Sequence, residues 1–136
     1  MIALDTNVIV RVVTGDDPEQ LAAALAVLQS GPLLLCKTVL LEVEWVLRYT
    51  YEIPRERIEE IFRRLLGYPK MQVEDRYAVL QALTWYQEDL DFADALHLAS
   101  ITGRATRFAT FDRSLARDAR RQPDCPAVDL LQPARP

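Results

Sequence analysis

The chain has 136 residues, half of them hydrophobic and 26% charged, with a net charge of −4, which is the composition of one globular domain. No apolar run approaches the roughly 20 residues that a membrane-spanning helix needs, and the polar residues near the N-terminus do not fit a signal peptide. The two cysteines lie far apart and encode neither a disulfide framework nor a zinc site, so we expect a cytoplasmic protein without a membrane partner.

The first half of the chain predicts short buried strands that alternate with helices. A strand at residues 2–4 is followed by the turn-forming triplet at 5–7. The β-branched stretch 8–13 fits either a strand or a short buried helix, because periodicity alone cannot separate them. Helices are predicted at 18–28, 39–51 and 54–67, and further strands at 33–36 and 71–73.

The second half continues the same alternation. It predicts helices at 75–88, 92–101 and 112–120 and strands at 107–110 and 127–130. Short apolar strands that alternate with helices indicate a parallel α/β sheet covered by helices on both faces. We expect one domain over residues 1–131, followed by a short proline-containing tail at 132–136 that frays.

Charge is unevenly distributed along the second half. Residues 88–94 contain four acids and no base, whereas residues 104–121 contain six arginines and two aspartates. Such a pattern suits a site that holds a cation beside a polyanion, although solvated surface helices would also produce it. The candidate contacts for a nucleic-acid backbone are Arg104, Arg107, Arg113 and Arg117.

Four carboxylates stand at the starts of predicted helices. Asp5 and Asp112 follow strands, where sites gather in parallel sheets, but they could equally be a turn residue and a helix cap. Glu42 is predicted to lie on an apolar helix face without a cationic partner, whereas its neighbour Glu44 forms an ordinary surface pair with Arg48.

Asp94 repeats the pattern of an acid without a clear partner. The nearby Asp91 is the better helix cap, and His97 is the one helical neighbour that could compensate the charge of Asp94. Clustered carboxylates repel unless a cation neutralises them, and an all-oxygen site selects Mg²⁺ or Mn²⁺. The reaction that uses such ions at an acidic site is phosphodiester hydrolysis.

Four segments in this order resemble a PIN domain and, more narrowly, the VapC-type ribonuclease toxins of toxin–antitoxin pairs. They are MIALDTN at 1–7, TVLLEVEWVLR at 38–48, DFADALHLA at 91–99 and TFD at 110–112. The resemblance spans residues 2 to about 130. It implies a three-layer sandwich in which helices flank a five-stranded parallel sheet of order 3-2-1-4-5.

The resemblance also implies a set of site residues. Asp5, Glu42, Asp94 and Asp112 match the catalytic acids, of which Asp5 and Asp94 match the usual Mg²⁺ ligands, with Mn²⁺ able to substitute. Glu42 and Asp112 would complete the cluster directly or through water. The polar shell that supports these carboxylates would consist of Thr6, Asn7 and Thr110.

The function implied is that of a metal-dependent endoribonuclease toxin that leaves a 5′-phosphate and a 3′-hydroxyl. The same resemblance implies a homodimer and an antitoxin helix that docks in an apolar groove between helices 39–51 and 54–67. Two other readings are a PIN nuclease of RNA processing and a catalytically inactive α/β module that binds proteins. A phosphotransferase with an Asp-x-Asp nucleophile fits less well, because Asn7 occupies the position of the second acid.

Overall fold

A computed structural model describes residues 1–134, and Arg135 and Pro136 lie outside that range. The chain divides into two compact units, one from Met1 to Asp75 and one that begins at Arg76. Residues 131–134 are exposed and belong to no helix or strand, and the rest of the predicted tail falls on the two residues that are not described. The single domain over residues 1–131 stays a prediction.

The first unit contains three short strands and four helices within the described residues. In chain order they are β1 (Ile2–Ala3), α1 (Thr6–Thr14), α2 (Pro18–Gln29), β2 (Leu33–Leu35), α3 (Lys37–Tyr49), α4 (Arg55–Leu66) and β3 (Met71–Val73). The strands form a parallel sheet in the order β1-β2-β3, with Leu34 of β2 opposite both Ala3 and Gln72. The buried Leu33 and Leu35 make β2 the centre of this sheet, as its continuous apolar run predicts.

The stretch that could be a strand or a helix is helical. Asp5 has extended backbone angles, and its Oδ1 accepts a hydrogen bond from the Thr6 N–H at 2.8 Å, which satisfies one of the free donors at the start of α1. Gly15 ends the helix in the left-handed conformation at φ 63°, where its N–H donates to the Arg11 carbonyl. These two ends, together with the buried Ile9 and Val10, decide a question that periodicity leaves open.

The second unit contains α5 (Arg76–Gln87), α6 (Phe92–Ser100), β4 (Arg107–Thr110), α7 (Arg113–Ala119) and β5 (Ala127–Leu130). Strands β4 and β5 pair in parallel over four residues each. Helices α5 and α6 pack through an edge-to-face contact of Tyr86 with Phe92, whose ring centroids lie 5.4 Å apart. None of the helices in the described part of the chain has the length and apolar character that crossing a bilayer requires.

The α/β class with parallel strands and covering helices is confirmed, but the prediction of a single five-stranded sheet is wrong. The five strands in residues 1–134 form two sheets, of order β1-β2-β3 and β4-β5. The N–H groups of Ile2 and Leu4 both donate toward the β2 side, to Pro32 and Leu34. Because alternate residues of a strand point to opposite edges, β1 leaves little more than Ala3 for its other edge, which is too short for a second ladder.

The buried face of α3 contains a charged pair. Leu40, Val43, Glu44 and Leu47 are buried at helical spacing, and the Glu44 side chain is only 3% exposed. Arg48 donates from Nε to Glu44 Oε2 at 2.7 Å and from Nη2 to Oε1 at 3.2 Å. The predicted pair is therefore confirmed, but its position at the surface is wrong, because Glu44 lies in the apolar stripe.

Replacing Arg48 tests how strongly the fold depends on this pair. In Arg48→Met the Glu44 carboxylate loses a close cation while it stays buried, so the free energy of unfolding should fall by about 2–4 kcal/mol. The matched control is Arg64→Met, which breaks an exposed pair with Glu60 and should cost less than about 1 kcal/mol. Urea denaturation measures both, and equal losses in the two variants would contradict the burial argument.

Candidate functional site

The predicted site residues of the first unit lie together around one pocket of about 280 Å³. Asp5, Thr6 and Asn7 approach it from the junction of β1 and α1, and Glu42 approaches it from α3. The complete lining consists of Asp5, Thr6, Asn7, Val10, Arg11, Glu42, Val46, Thr50 and Tyr51. The pocket therefore brings two of the predicted catalytic acids together with two members of the predicted polar shell.

Thr6 joins the two sides of this pocket. Its hydroxyl donates a short hydrogen bond to Glu42 Oε1, and its side chain is buried. Because Thr6 directly follows the cap residue Asp5, the start of α1 fixes its position opposite α3. One carboxylate thus caps a helix, and the next residue of the chain holds the second carboxylate.

Glu42 does not lie on a buried apolar face, and that part of the sequence argument is wrong. Glu42 is exposed, and so is Trp45 three residues later, whereas the buried stripe of α3 contains Glu44. The four helical neighbours of Glu42 are apolar or small, but a second apolar stripe lies beside them on α3. That second stripe is the one that is buried. Glu42 remains a candidate because it faces Asp5 across the pocket.

The predicted site residues of the second unit cluster at the starts of α6 and α7. Asp91 caps α6 by accepting a hydrogen bond from the Asp94 N–H at 3.2 Å, which confirms its predicted role. Asp112 caps α7 by accepting from the Leu115 N–H at 3.1 Å, and Thr110 Oγ1 accepts from the Asp112 N–H at 3.0 Å. Asp112 is therefore a helix cap, whatever else it does.

Asp94 is the half-buried acid of this unit. Burial, and after it the negative charges of Asp91, Asp112 and Asp118, together raise its pKa to about 6. Every charge that contributes to this shift belongs to a carboxylate. His97, the predicted compensating neighbour, instead stacks on Phe108 with ring centroids 6.5 Å apart. A group in this position favours any cation that can reach it.

Three residues that face these acids escaped the sequence analysis. Asp118 acts on Asp94 from α7, and Arg11 and Tyr51 line the pocket of the first unit. Asn7 and Arg11 are four residues apart, so reading residues 8–13 as a helix would have placed them on one face. No comparable signal in the sequence pointed to Tyr51.

The four arginines proposed as backbone contacts are exposed but differ in their partners. Arg107 donates to both carboxylate oxygens of Asp129 at 2.8 Å, and Arg117 donates to Asp118 at 3.0 Å. Arg104 and Arg113 form no ion pair within residues 1–134. These last two are consequently the better placed to meet an external anion.

An apolar groove of about 380 Å³ lies elsewhere on the first unit. It is lined by α1, α2, α4 and the residues that lead into β3, so of the two helices predicted to form a groove only α4 takes part. Its lining residues are Val12, Val13, Leu25, Leu28, Gln29, Arg57, Ile61, Arg64, Leu65, Tyr68 and Met71. Leu25 is 39% exposed, which is a large fraction for a leucine on a packed helix.

The chemistry of the acids fits a hard cation, although the structure does not assemble them into a metal centre. Carboxylate oxygens are the ligands that Mg²⁺ and Mn²⁺ prefer. Among residues 1–134, no three His, Cys, Asp or Glu side chains gather closely enough to hold a metal ion. The predicted quartet is divided between the units, with Asp5 and Glu42 in the first and Asp94 and Asp112 in the second.

The raised pKa of Asp94 predicts how stability depends on pH in the absence of metal. The folded state binds the Asp94 proton more tightly than the unfolded chain, so the free energy of unfolding should fall as the pH rises from about 4 to about 6. Asp94→Asn removes this effect. At neutral pH in a chelator the variant should be more stable than wild type by on the order of 1 kcal/mol, after allowance for solvent screening.

Asp129→Asn is the matched control, because Arg107 lowers the pKa of Asp129. Stability from this pair is present at neutral pH and is lost as the pH falls, so Asp129→Asn should be less stable than wild type at neutral pH. Thermal melts across the pH range measure both variants. A lower melting temperature for Asp94→Asn than for wild type at neutral pH would contradict the account of Asp94.

Comparison with known proteins identifies one family. No curated protein is significantly similar to the chain. The family model described as PIN domain matches residues 2–120, a range that contains the two carboxylate clusters and ends before β5. Because this match spans most of the 136 residues, the chain belongs to the PIN domain family, whose members are generally metal-dependent nucleases.

Proposed function

We propose that this chain is a Mg²⁺- or Mn²⁺-dependent endoribonuclease that acts as the toxin of a type II toxin–antitoxin module. The observation that carries the proposal is the charge balance at Asp94, a half-buried carboxyl surrounded by three further carboxylates. A divalent cation would relieve this repulsion. The need of this site for a cation agrees with the metal dependence of PIN domain nucleases. RNA as substrate and the toxin role also place the protein in the cytoplasm.

The proposed roles are those that the resemblance to PIN domain nucleases implies for the four acids. Asp5 and Asp94 would hold the cation, and Glu42 and Asp112 would be further ligands, directly or through water. When bound, the cation stabilises the charge on the attacking and leaving oxygens of the scissile phosphate. Glu42 is exposed and oriented by Thr6, so it can accept the proton of the attacking water, as can Asp112. The products are a 5′-phosphate and a 3′-hydroxyl.

The proposed RNA contacts lie on the second unit. Arg104 and Arg113 are exposed and provide positive charge to backbone phosphates. Arg107 and Arg117 contribute less, because the carboxylates of Asp129 and Asp118 already compensate them.

The cap positions of Asp5, Asp91 and Asp112 favour a second reading, in which the acids only start helices and the chain is an inactive protein-binding module.

Substitution of the proposed ligands separates these two readings. Asp5→Asn and Asp94→Asn preserve side-chain volume but remove a charged oxygen ligand, so each should reduce cleavage of single-stranded RNA by about 100-fold or more. Wild-type cleavage should stop in excess chelator and return with Mg²⁺ or Mn²⁺. Glu19→Gln, an exposed acid in the first turn of α2, is the control and should retain full activity.

Cleavage by wild type in excess chelator would contradict the metal mechanism, and the absence of any cleavage with added metal would favour the inactive module. A toxin should in addition arrest growth when it is expressed alone, and Asp94→Asn should abolish that arrest. Efficient RNA cleavage without growth arrest would indicate a nuclease of RNA processing.

We further propose that the antitoxin docks an amphipathic helix in the apolar groove of α1, α2 and α4. The groove supplies leucine, isoleucine and valine side chains, which suit the apolar face of such a helix. Arg57 and Arg64 lie among its lining residues and are exposed. Both pair with the single carboxylate of Glu60, so one positive charge stays in excess and favours a partner helix that has acidic residues beside its apolar face.

Leu25→Asp tests this groove. It introduces a charge at the exposed edge of the apolar lining, so binding of the protein encoded by the adjacent reading frame should weaken by about 10-fold or more, while RNA cleavage persists. Leu131→Asp is the control, because Leu131 is similarly exposed and lies in the other unit. Calorimetry measures the affinity, and equal binding by both variants would contradict the proposed position.

A homodimer is also proposed, and the exposed aromatic pair on α3 supports it. Trp45 and Tyr49 are each more than half exposed, and their ring centroids lie 5.2 Å apart. Large exposed aromatic side chains of this kind are typical of interaction surfaces.

A further inference from the structure

One arginine of the first unit is held by three neutral or acidic acceptors without being fully enclosed. Arg11 Nε donates to Gln20 Oε1 at 2.6 Å, and Nη1 donates to both Asp16 Oδ1 and the Tyr51 hydroxyl at 3.2 Å. The side chain retains 27% exposure. These contacts fix the plane of the guanidinium group, so it loses little rotational freedom when it binds a further ligand.

Tyr51 links the two charges of this arrangement. Its hydroxyl accepts from Arg11 and donates to Asp16 Oδ2 at 2.8 Å, while the Thr14 hydroxyl donates to Asp16 Oδ1 at 2.9 Å. The hydrogen bond that Tyr51 donates lowers the pKa of Asp16, and the one that it accepts raises the pKa of Arg11. Both groups therefore stay ionised, and the ion pair between them persists, across the neutral pH range.

Arg11 lies at the pocket of Asp5 and Glu42. Arg11 is the one basic side chain among the nine residues that line the pocket of Asp5 and Glu42, all of them described by the structure. Nη2 forms no hydrogen bond within residues 1–134, since the contacts of Arg11 use Nε and Nη1. A fixed guanidinium with a free donor is the geometry that recognises a phosphate oxygen.

We propose that Arg11 binds a non-bridging phosphate oxygen of the RNA backbone at the pocket of Asp5 and Glu42. This inference rests on the proposed ribonuclease function and adds a phosphate contact on the first unit. The phosphate would otherwise meet only carboxylates and uncharged side chains at this pocket. Arg11 supplies a positive charge there independent of any bound cation, and its ion pair with Asp16 uses Nη1 and leaves Nη2 open to the phosphate.

The competing explanation is that Arg11 only ties α1 to Gln20 of α2 and to Tyr51, which follows α3. Such a tie would depend on Asp16 and Tyr51 as much as on Arg11. The two explanations differ in what Asp16→Asn does, because this variant removes the ion pair and leaves the charge of Arg11 in place. A structural tie loses function in Asp16→Asn, whereas a phosphate contact does not.

The experiment measures binding of a fluorescein-labelled, single-stranded 12-nucleotide RNA to the full chain in chelator, across a series of salt concentrations. Arg11→Gln should weaken binding about 10-fold and reduce the salt dependence of log K by about 0.7, the value for one phosphate contact in a single strand. Arg11→Lys should keep the salt dependence of wild type. Asp16→Asn keeps an oxygen acceptor for Nη1 and removes a negative charge, so it should bind at least as tightly as wild type, with an unchanged salt dependence.

Two further measurements control for charge and folding. Arg63→Gln removes an arginine that is also paired with an acid, outside the pocket, and should leave the salt dependence unchanged. Tyr51→Phe keeps the charge of Arg11 and removes one group that orients it, so it should weaken binding about 3-fold at unchanged salt dependence. Tyr51→Phe decides the question if Arg11→Gln does not fold, because unaltered binding in Tyr51→Phe contradicts the proposal.

The outcomes separate this inference from the proposed function. If wild type neither binds nor cleaves RNA, both are wrong. If wild type cleaves RNA and Arg11→Gln retains its affinity and salt dependence, only the role of Arg11 is wrong. Equal losses of affinity and of melting temperature in Arg11→Gln and Asp16→Asn would identify Arg11 as a structural tie.

Discussion

The start of a helix is where this chain places its acids, and the rest of the site depends on that use of the helix terminus. Asp5, Asp91 and Asp112 each accept a hydrogen bond from the first turn of α1, α6 and α7. The free N–H groups of these turns stabilise negative charge, which lets acids gather without cationic side chains beside them. Capping and ligand binding are compatible, because a cap uses one carboxylate oxygen and leaves the other for a different partner.

Asp94 differs from the three caps because the negative charges around it act on its carboxyl group without such compensation. It lies within the first turn of α6, yet burial and three neighbouring carboxylates outweigh the favourable helix terminus. Sites that bind cations commonly store repulsion in this way, at the expense of the stability of the metal-free protein. Asp94 therefore lowers the stability of the metal-free protein, and the same repulsion would favour a cation at the proposed site.

The sequence predicted the order and type of almost all elements, since short apolar runs and helix ends are local signals. It could not predict that the five strands form two sheets instead of one, because this depends on how many backbone groups the two-residue strand β1 leaves unpaired. It predicted a buried Glu42 and an exposed Glu44, which is the reverse of what the structure shows. Both residues have apolar neighbours, and only tertiary contacts decide which stripe of α3 is buried. Arg11 escaped notice because its partners, Asp16 and Tyr51, meet it only once α1 is known to be a helix.

Helix α1 has a consequence that follows from its shortness. In nine residues it provides Asn7 and Arg11 to the carboxylate pocket and Val12 and Val13 to the apolar groove. Because one short helix lines both surfaces, any change in its position would alter the groove and the pocket together. If the ligands of both surfaces bind better to the same position of α1, each raises the affinity of the other by the same factor.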